Sequence, residues 1–289
     1  MDKCKDLDAI IPRDIHFPVN AVTERDWFDK DPFRSAYCDA LSVLFPLGER
    51  FFIRSVQHYL DQIKDSGLRE EVRAFCIQEA YHTREHEVYN QRLANQGVDV
   101  ALMEESVKKS LSMAKHPITK LAATVAIEHL TATFAHMVIS DPKLFEKADP
   151  VFRNLWTWHA LEEMEHKAVA YDVFLEATKG VSSWKRYMLR CVSMISVTTE
   201  LHRVQISHLV TIMRLREQST GIGMWLKFLW LFFFIPGFYR KSLLYYLRIY
   251  IPGFHPWKKG DNDLLAIGRA RLERFLVMSP DDSDNKIKD

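Results

Sequence analysis

The sequence predicts an all-α protein. Its 289 residues include only 10 glycines and 11 prolines, and long stretches contain neither. All-β folds and glycine-rich phosphate-binding folds need many tight turns or glycine loops. Apolar residues make up 47% of the chain and charged residues 27%, which is typical of a globular protein and excludes a disordered or collagen-like one. We therefore expect one large domain, or two smaller ones, with a substantial core.

Charge and cysteine usage limit the kinds of partner and compartment. Thirty-nine Lys and Arg nearly balance 38 Asp and Glu, for a net charge of +1, so no positive potential is available to hold nucleic acid and we expect no such partner. The four cysteines lie far apart and the N-terminus lacks the apolar core of a signal peptide, which predicts a cytoplasmic protein. The most apolar run, 228–239, is shorter than the roughly 20 residues that a bilayer crossing requires.

The first part of the chain is predicted to form an arm and two helices. Residues 1–31 show no sustained period, so we expect an extended arm laid over the surface. A helix is predicted over 32–63, either straight or kinked at Pro46, because a proline opens it and apolar residues then recur at helical spacing. A second helix is predicted over 68–96, before a glycine.

Two further helices complete a predicted domain over 32–180. Residues 98–116 hold a short amphipathic stretch that could carry the chain from one end of a bundle to the other. Prolines or a glycine bound the third predicted helix, 117–140, and the fourth, 151–179. A helical extension is predicted over 181–278. It would begin with a long helix that Ser182 or Ser183 caps and that runs to about Ser219. It would end with a helix from 263, before a frayed tail over 279–289.

Two Glu-x-x-His units stand on different predicted helices. Glu79 and His82 lie on the second helix, and Glu163 and His166 lie on the fourth. A three-residue step leaves side chains about 60° apart around a helix and roughly 4.5 Å apart along it, so each pair can hold one metal ion from one face. One such unit is common on a charged helix, but two on separate long helices indicate a shared metal site.

The other two helices each supply one carboxylate at the matching height. Glu49 mirrors Glu79 about the turn between the first two helices, and Glu128 mirrors Glu163 about the turn before the fourth. For either Glu49 or Glu128 alone, a buried ion pair is the simpler interpretation. Together, four carboxylates carry a formal charge of −4, which two divalent cations would neutralise while neutral imidazoles add donors. Oxygen and nitrogen donors suit iron or manganese better than structural zinc.

These residues resemble the ligand pattern of the ferritin-like dimetal carboxylate proteins, over roughly residues 33–178. Such a four-helix bundle takes one Glu from each of two helices and Glu-x-x-His from each of the others. His159, four residues before Glu163, extends the second unit to His-x-x-x-Glu-x-x-His, which looks like the p-aminobenzoate N-oxygenase subfamily. That resemblance implies His159 as a third imidazole ligand. The whole chain, including the ending YIPGFHPWKKGD, is also similar to an uncharacterised bacterial family labelled predicted metal-dependent hydrolases.

Two positions near these ligands have more than one interpretation. Glu162 shares the helix face with His159 and His166, so it is either an outer-layer partner of the metal centre or a replacement for Glu163, although symmetry with the second helix favours Glu163. His86, one turn after His82, is an outer-layer partner of the metal centre, an extra ligand or a surface histidine. His129 and His136 are expected to pack in the bundle, and no metal role is expected for Glu200, His202 and His208.

Three functions follow from this pattern, and the leading one is a non-haem di-iron oxidase or oxygenase. It would hold two irons, Fe/Fe or alternatively Mn/Fe, and use O2 and an external electron donor to oxidise a small, partly apolar organic substrate. The resemblance implies amine N-oxygenation. The alternative is a metal-dependent hydrolase using the same dimetal site. The second alternative is a non-catalytic iron-binding or helical interaction protein.

The most hydrophobic segment, 224–254, is predicted to be a lid over the bundle, an interface of a homodimer, or a peripheral membrane contact with Lys and Arg at its edges. If it covers the metal site, it would favour a largely apolar substrate.

Overall fold

The computed structural model describes residues 10–234, 237–257 and 261–278, and it confirms the all-α prediction for them. An isolated bridge pairs Phe28 with Ala148, and the described residues form no strand. The α-helices in these ranges are α1 Pro32–Ser42, α2 Phe45–Gln57, α3 Ser66–Asn95, α4 Val100–Leu111, α5 Pro117–Ser140, α6 Pro150–His166, α7 Val169–Ala177, α8 Ser183–Leu215, α9 Ile222–Leu229, α10 Phe238–Leu247 and α11 Asn262–Met278.

Two of the predicted helices are broken. The segment 32–63 divides into α1 and α2, and Pro46 lies in the first turn of α2, where its missing N–H costs no helical hydrogen bond. The kinked form is therefore the correct one. The segment 151–179 divides into α6 and α7 at Lys167 and Ala168, where no proline or glycine announces a break. The long helix α8 also ends earlier than predicted, at Leu215, while Ser182 caps its start as expected.

Four helical segments enclose a common interior. α2 packs along α3, and α5 packs along α6 and α7; contacts of α2 with α5, and of α3 with α6 and α7, close the ring. Two apolar clusters fill this interior, one around Trp156 and Leu93 and the other around Phe52 and Leu121. The predicted metal ligands on α3, α5 and α6 lie where these clusters meet.

Residues 10–31 of the N-terminal arm run along the surface, with many of them exposed, and insert several large apolar side chains into the core. Phe17, Val19 and Trp27 are buried, and the Trp27 ring stacks on Phe152 at a centroid distance of 4.2 Å. The arm also carries Arg13 to the metal-ligand helices, as described below. Burial of its large apolar side chains explains why a segment without helical period is ordered.

The C-terminal helices cover α5 from the outside. α8 and α10 pack on α5, and α11 packs on α6 and α5. α5 is, among the described residues, the one single helix whose length and composition would suit a membrane crossing, but 61% of its most apolar window is buried. Its apolar character follows from having packing partners on several sides. A bent pair, Ile222–Phe234 with Phe238–Tyr250, passes the same test only jointly.

His208 on α8 gives the fold a pH dependence. Burial lowers its pKa to about 4, and its Nε2 lies 2.8 Å from Ser106 Oγ. Because the folded pKa lies below the unfolded value of about 6.5, this histidine contributes stability above pH 6.5 that is lost as the pH falls through 4. We expect His208→Gln to reduce the pH 7 to pH 4 loss of unfolding free energy by about 2 kcal/mol, measured by urea denaturation. An equal loss of unfolding free energy between pH 7 and pH 4 in both proteins would contradict this prediction.

Candidate metal centre

The structure brings all seven predicted ligand residues together inside the bundle. Each has at most 3% of its surface exposed. Six of them form overlapping three-residue groups that could hold a metal ion, with ligand atoms within 4.8 Å of one another. Glu128 adjoins the groups through His166, with its Oε2 3.5 Å from the imidazole Nε2. The groups that contain predicted ligands only are Glu49, Glu79 and His82; Glu79, Glu163 and His166; and His82, His159 and Glu163.

Two carboxylates lie between the groups. Glu79 belongs to one group with His82 and to another with His166, and Glu163 belongs to one with His166 and to another with His159. His166 Nε2 lies 3.1 Å from Glu79 Oε1 and 3.4 Å from Glu163 Oε2. His159 Nε2 lies 3.0 Å from Glu163 Oε1. Such sharing is what two neighbouring metal positions require.

Nine buried ligand atoms have no hydrogen-bond partner. A buried polar atom without a partner costs free energy, so a cluster of them in one place needs an explanation such as an ion. His166 Nε2 approaches Glu79 closely but not in a hydrogen-bonding direction. The unpartnered atoms are both side-chain oxygens of Glu49, Glu79 and Glu128, Glu163 Oε2, His82 Nδ1 and His166 Nε2.

In each of the two Glu-x-x-His histidines, the ring nitrogen that faces away from the ligand cluster makes a hydrogen bond with a neighbouring side chain. His166 Nδ1 lies 3.0 Å from Gln78 Oε1, and His82 Nε2 lies 3.1 Å from Glu162 Oε2. Since an amide oxygen accepts hydrogen bonds, the His166 imidazole places its proton on Nδ1 and presents the lone pair of Nε2 to the cluster. An outer hydrogen-bond partner of this kind orients a metal-binding histidine.

A chain of hydrogen bonds sets the orientation of His159. Asn90 Nδ2 donates to the Ser42 carbonyl, so its Oδ1 accepts the Ser42 hydroxyl at 2.8 Å. The Ser42 proton is thereby used, so His86 Nδ1–H donates to Ser42 Oγ at 2.9 Å. His86 Nε2 is left as the acceptor for His159 Nδ1–H at 2.8 Å. His159 Nε2 therefore points a lone pair at Glu163. His86 is fully buried, so it is not a surface histidine. It contacts His159 as an outer partner and also belongs to a candidate ligand group with Glu49 and His159, so both the outer-layer role and the extra-ligand role stay predictions.

Breaking this chain is expected to weaken metal binding without removing it. His86→Ala leaves His159 free to rotate or to change tautomer, and loss of an outer hydrogen-bond partner typically costs 10- to 100-fold in metal affinity. Competition titration with a chelating dye would measure the change, with Ser42→Ala giving a smaller loss in the same direction. Unchanged affinity in His86→Ala would contradict the role given to the chain.

Glu162 faces away from the ligand groups and towards the N-terminal arm. Its Oε1 accepts hydrogen bonds from the Arg13 backbone N–H at 3.1 Å and from the guanidinium at 3.2 Å. Arg13 also pairs with Glu165 at 2.8 Å, which Arg269 contacts at 2.9 Å. The position of Glu162 is that of an outer partner of His82, whereas Glu163 lies among the candidate ligands.

Sequence reasoning named His86 and Glu162 as candidates for this outer layer but missed Gln78, Glu165 and Arg13. Gln78 and Glu165 each precede a predicted ligand on its helix, and the need of each imidazole for an acceptor could have singled out Gln78. Gln78 Nε2 donates to Glu165 Oε2 at 3.0 Å, which connects it to Arg13. No local signal marks Arg13, because it reaches the site across about 150 residues of sequence.

Burial controls the protonation of the cluster. Burial and neighbouring carboxylates raise the pKa of Glu79 and Glu128 well above the usual range, and burial likewise raises the pKa of Glu49. Burial lowers the pKa of His82 well below its usual value, so its imidazole is neutral and able to bind a cation.

The donor set fits a pair of divalent cations. It offers four carboxylates and three imidazoles, and no cysteine belongs to the groups formed by the described residues. Hard oxygen donors with imidazole suit iron or manganese. The unpartnered atoms point to the same conclusion, because cations would satisfy them and displace the protons that burial forces onto the acids.

A small cavity adjoins Glu128 under the C-terminal helices. Its volume of about 10 Å³ is close to that of one water molecule. Tyr245 and Phe254 form its outer wall, and Lys167 and His129 line it. His129 Nε2 donates to the Tyr246 carbonyl at 3.0 Å, and burial lowers the pKa of His129 to about 4, which keeps it neutral.

The remaining histidines singled out in the sequence lie outside the ligand groups. His129 and His136 pack against Tyr245, with ring centroids 5.7 and 4.7 Å away, as predicted. Glu200 on α8 pairs with Arg203 and accepts a hydrogen bond from Ser110. His202 and His208 join none of the groups that the described residues form.

Comparison with known proteins identifies a family. The sequence profile described as predicted metal-dependent hydrolase matches residues 11–260. No curated protein and no solved structure matches the chain significantly. The profile match includes the N-terminal arm from residue 11, all the candidate ligands and the ending that precedes α11. It covers most of the chain, and the protein therefore belongs to the family of predicted metal-dependent hydrolases.

Proposed function

We propose that the protein is a hydrolase that uses two divalent metal ions held inside a ferritin-like four-helix bundle. The convergence of nine unpartnered ligand atoms from α2, α3, α5 and α6 carries this proposal, and membership of the family supports hydrolysis as the reaction. The residues that would hold the metals are Glu49, Glu79, His82, Glu128, His159, Glu163 and His166. His86 and Glu162 would orient them from the outer layer.

The metals would supply the reactive chemistry, and the protein would position the reacting groups and shelter them from bulk solvent. Two bound divalent cations offer Lewis-acid activation for hydrolysis or, if they are iron or manganese, electrons for reaction with O2. The cavity beside Glu128 has room for one water molecule, which Lys167 and neutral His129 would position. Tyr245 and Phe254 line the same cavity and would help to keep bulk solvent out.

Oxidation with O2 is the second candidate, and a specific observation favours it. Every proposed ligand is at most 3% exposed, and a site closed to water protects reactive oxygen chemistry from side reactions. The third imidazole, His159, also resembles the ligand pattern of the amine N-oxygenases. This candidate requires two iron ions, or manganese with iron, and an external electron donor.

One pair of measurements separates the two candidates. Protein reconstituted with iron, manganese or zinc is tested without O2 against a panel of carboxylic and phosphoric esters and amides. Hydrolysis is expected to proceed without O2 and to disappear in Glu79→Ala. In parallel, the iron-loaded, anaerobically reduced protein is mixed with O2. If a transient visible absorption band appears with O2 consumption, and no ester or amide is hydrolysed without O2, the protein is an oxidase or oxygenase and not a hydrolase.

A metal-free protein would overturn both candidates. If reconstitution leaves no bound metal, the remaining interpretation is a helical interaction protein. The four buried glutamates would then be tolerated in the core because they are protonated and uncharged. Light scattering completes the test, because iron storage requires a cage-like assembly of many copies. A monomer or dimer with two bound metals would exclude storage.

A further inference from the structure

The segment after Glu217 is unusual in charge. From residue 218 to residue 260 the sequence contains six Lys and Arg and no acidic side chain, although the whole chain is nearly neutral. Arg240 and Lys241 are exposed where the two helical parts of this segment meet. Two of its lysines are ion-paired with acids of other elements, Lys227 with Asp31 at 2.7 Å and Lys241 with Asp141 at 2.9 Å. Among the described residues the excess positive charge therefore lies at Arg240 and Arg248, and it can attract an anionic surface.

The same segment exposes large apolar side chains in a regular pattern. In α9 and the π-helix Trp230–Phe234 that continues it, one face is buried through Met224, Phe228 and Leu231. The residues on the opposite face recur at helical spacing, and their side chains are 46% to 79% exposed. This face consists of Ile222, Leu226, Leu229, Trp230, Phe233 and Phe234.

Helix α10 repeats this division. Its inner side includes Tyr245, which packs against His129, and its outer side exposes Leu243, Leu244 and Leu247. Leu244 is 78% exposed. Large apolar side chains that are exposed together on one surface usually mark an interaction site, so the outer sides of α9 and α10 need a covering. We call these two outer sides the apolar face.

We propose that the apolar face docks the protein onto the surface of an anionic lipid bilayer. Exposed Trp and Phe beside Lys and Arg, with no acidic group in the segment, match the composition that binds at the boundary between headgroups and acyl chains. The complementary charge commits the proposal to lipid, because the face of a second copy would carry the same positive potential.

The geometry requires contact within the plane of the membrane surface rather than a crossing. Ile222–Phe234 and Phe238–Tyr250 are bent by 53° relative to each other. Each is about 20 Å long, which is shorter than the roughly 30 Å of a hydrocarbon core. The inner side of each also packs on the protein through Phe228 and Tyr245, so only the outer side is available to lipid.

Vesicle flotation with the metal-loaded full chain tests this proposal. The probes are phosphatidylcholine vesicles with and without 30% phosphatidylglycerol, a composition chosen to supply negative charge. The wild-type protein is expected to float with the anionic vesicles and to be released by high salt. The double variant Leu226→Glu, Leu244→Glu is expected to bind at least about tenfold more weakly, because two exposed anchors become anionic.

Leu102→Glu is the matched control. Leu102 is 67% exposed on α4, outside the apolar face, so this variant is expected to float like the wild type. Circular dichroism of all variants verifies folding. Wild-type protein that remains unbound with both kinds of vesicle would overturn the proposal. So would equal flotation of the double variant, or a dimer that the double variant dissociates without any vesicle binding.

Discussion

Glu79→Ala and Glu163→Ala are each expected to abolish binding of both metal ions. Each carboxylate belongs to two of the candidate ligand groups, so its removal damages both metal positions. Each variant also removes one acid neighbour of His166, whose Nε2 lies 3.1 Å from Glu79 and 3.4 Å from Glu163. Elemental mass spectrometry after reconstitution and desalting measures the outcome, which is expected to be well below one metal ion per chain in either variant.

Glu85→Gln provides the matched control for these variants. Glu85 is as buried as the ligands, at 2% exposure, and lies on α3 with Glu79. Its oxygens, however, accept hydrogen bonds from Phe17 N and Arg84 Nε rather than facing the cluster. This variant is expected to retain full metal content. Full occupancy in Glu79→Ala and Glu163→Ala would show that the two glutamates are not ligands.

Removing the metals is expected to lower the thermal stability of the protein strongly. A ligand present at 100 times its dissociation constant stabilises the folded state by about 2.7 kcal/mol, so two sites contribute about 5 kcal/mol. For a chain of this size that corresponds to roughly 10 to 20 °C in Tm. Differential scanning calorimetry of metal-loaded and chelator-treated protein measures the difference.

The Glu79→Ala variant provides a second comparison by calorimetry. Metal-free Glu79→Ala is expected to melt at or above the temperature of the metal-free wild type, because it no longer buries an acid whose oxygens lack partners. Its Tm is expected to be insensitive to added metal. A wild-type Tm that does not change on metal removal, or a metal-dependent Tm in the variant, would contradict the account.

The sequence was most informative where helical geometry acts over short distances. Glu49 and Glu128 could be located because α2 with α3, and α5 with α6, pack as neighbouring helices, so distance from the turn determines height. The prediction for Glu49 survived the break before α2, because the residues from Phe45 to Gln57 form one uninterrupted helix. The preference for Glu163 over Glu162 came from symmetry. The structure places Glu163 in two candidate ligand groups and Glu162 against Arg13, and the choice of ligand stays a prediction.

Long-range contacts were beyond the reach of sequence patterns. The arm has no periodicity, yet Trp27 stacks in the core and Arg13 pairs with Glu162 and Glu165. The break after His166 has no proline or glycine to mark it. It accompanies the ion pair of Lys167 with Asp261 and the packing of the Lys167 ammonium 4.1 Å from the Trp257 ring centroid. These contacts join residues about 90 positions apart, so they cannot be predicted from local helix propensity.

The metal content of the reconstituted wild-type protein tests the central claim most directly. Four carboxylates and three imidazoles meet in a buried cluster whose inner atoms lack partners, and the account predicts about two divalent metal ions per chain. Elemental mass spectrometry should find them after incubation with iron or manganese and removal of unbound ions. A chain that retains no metal under these conditions, while folded by circular dichroism, would contradict the account.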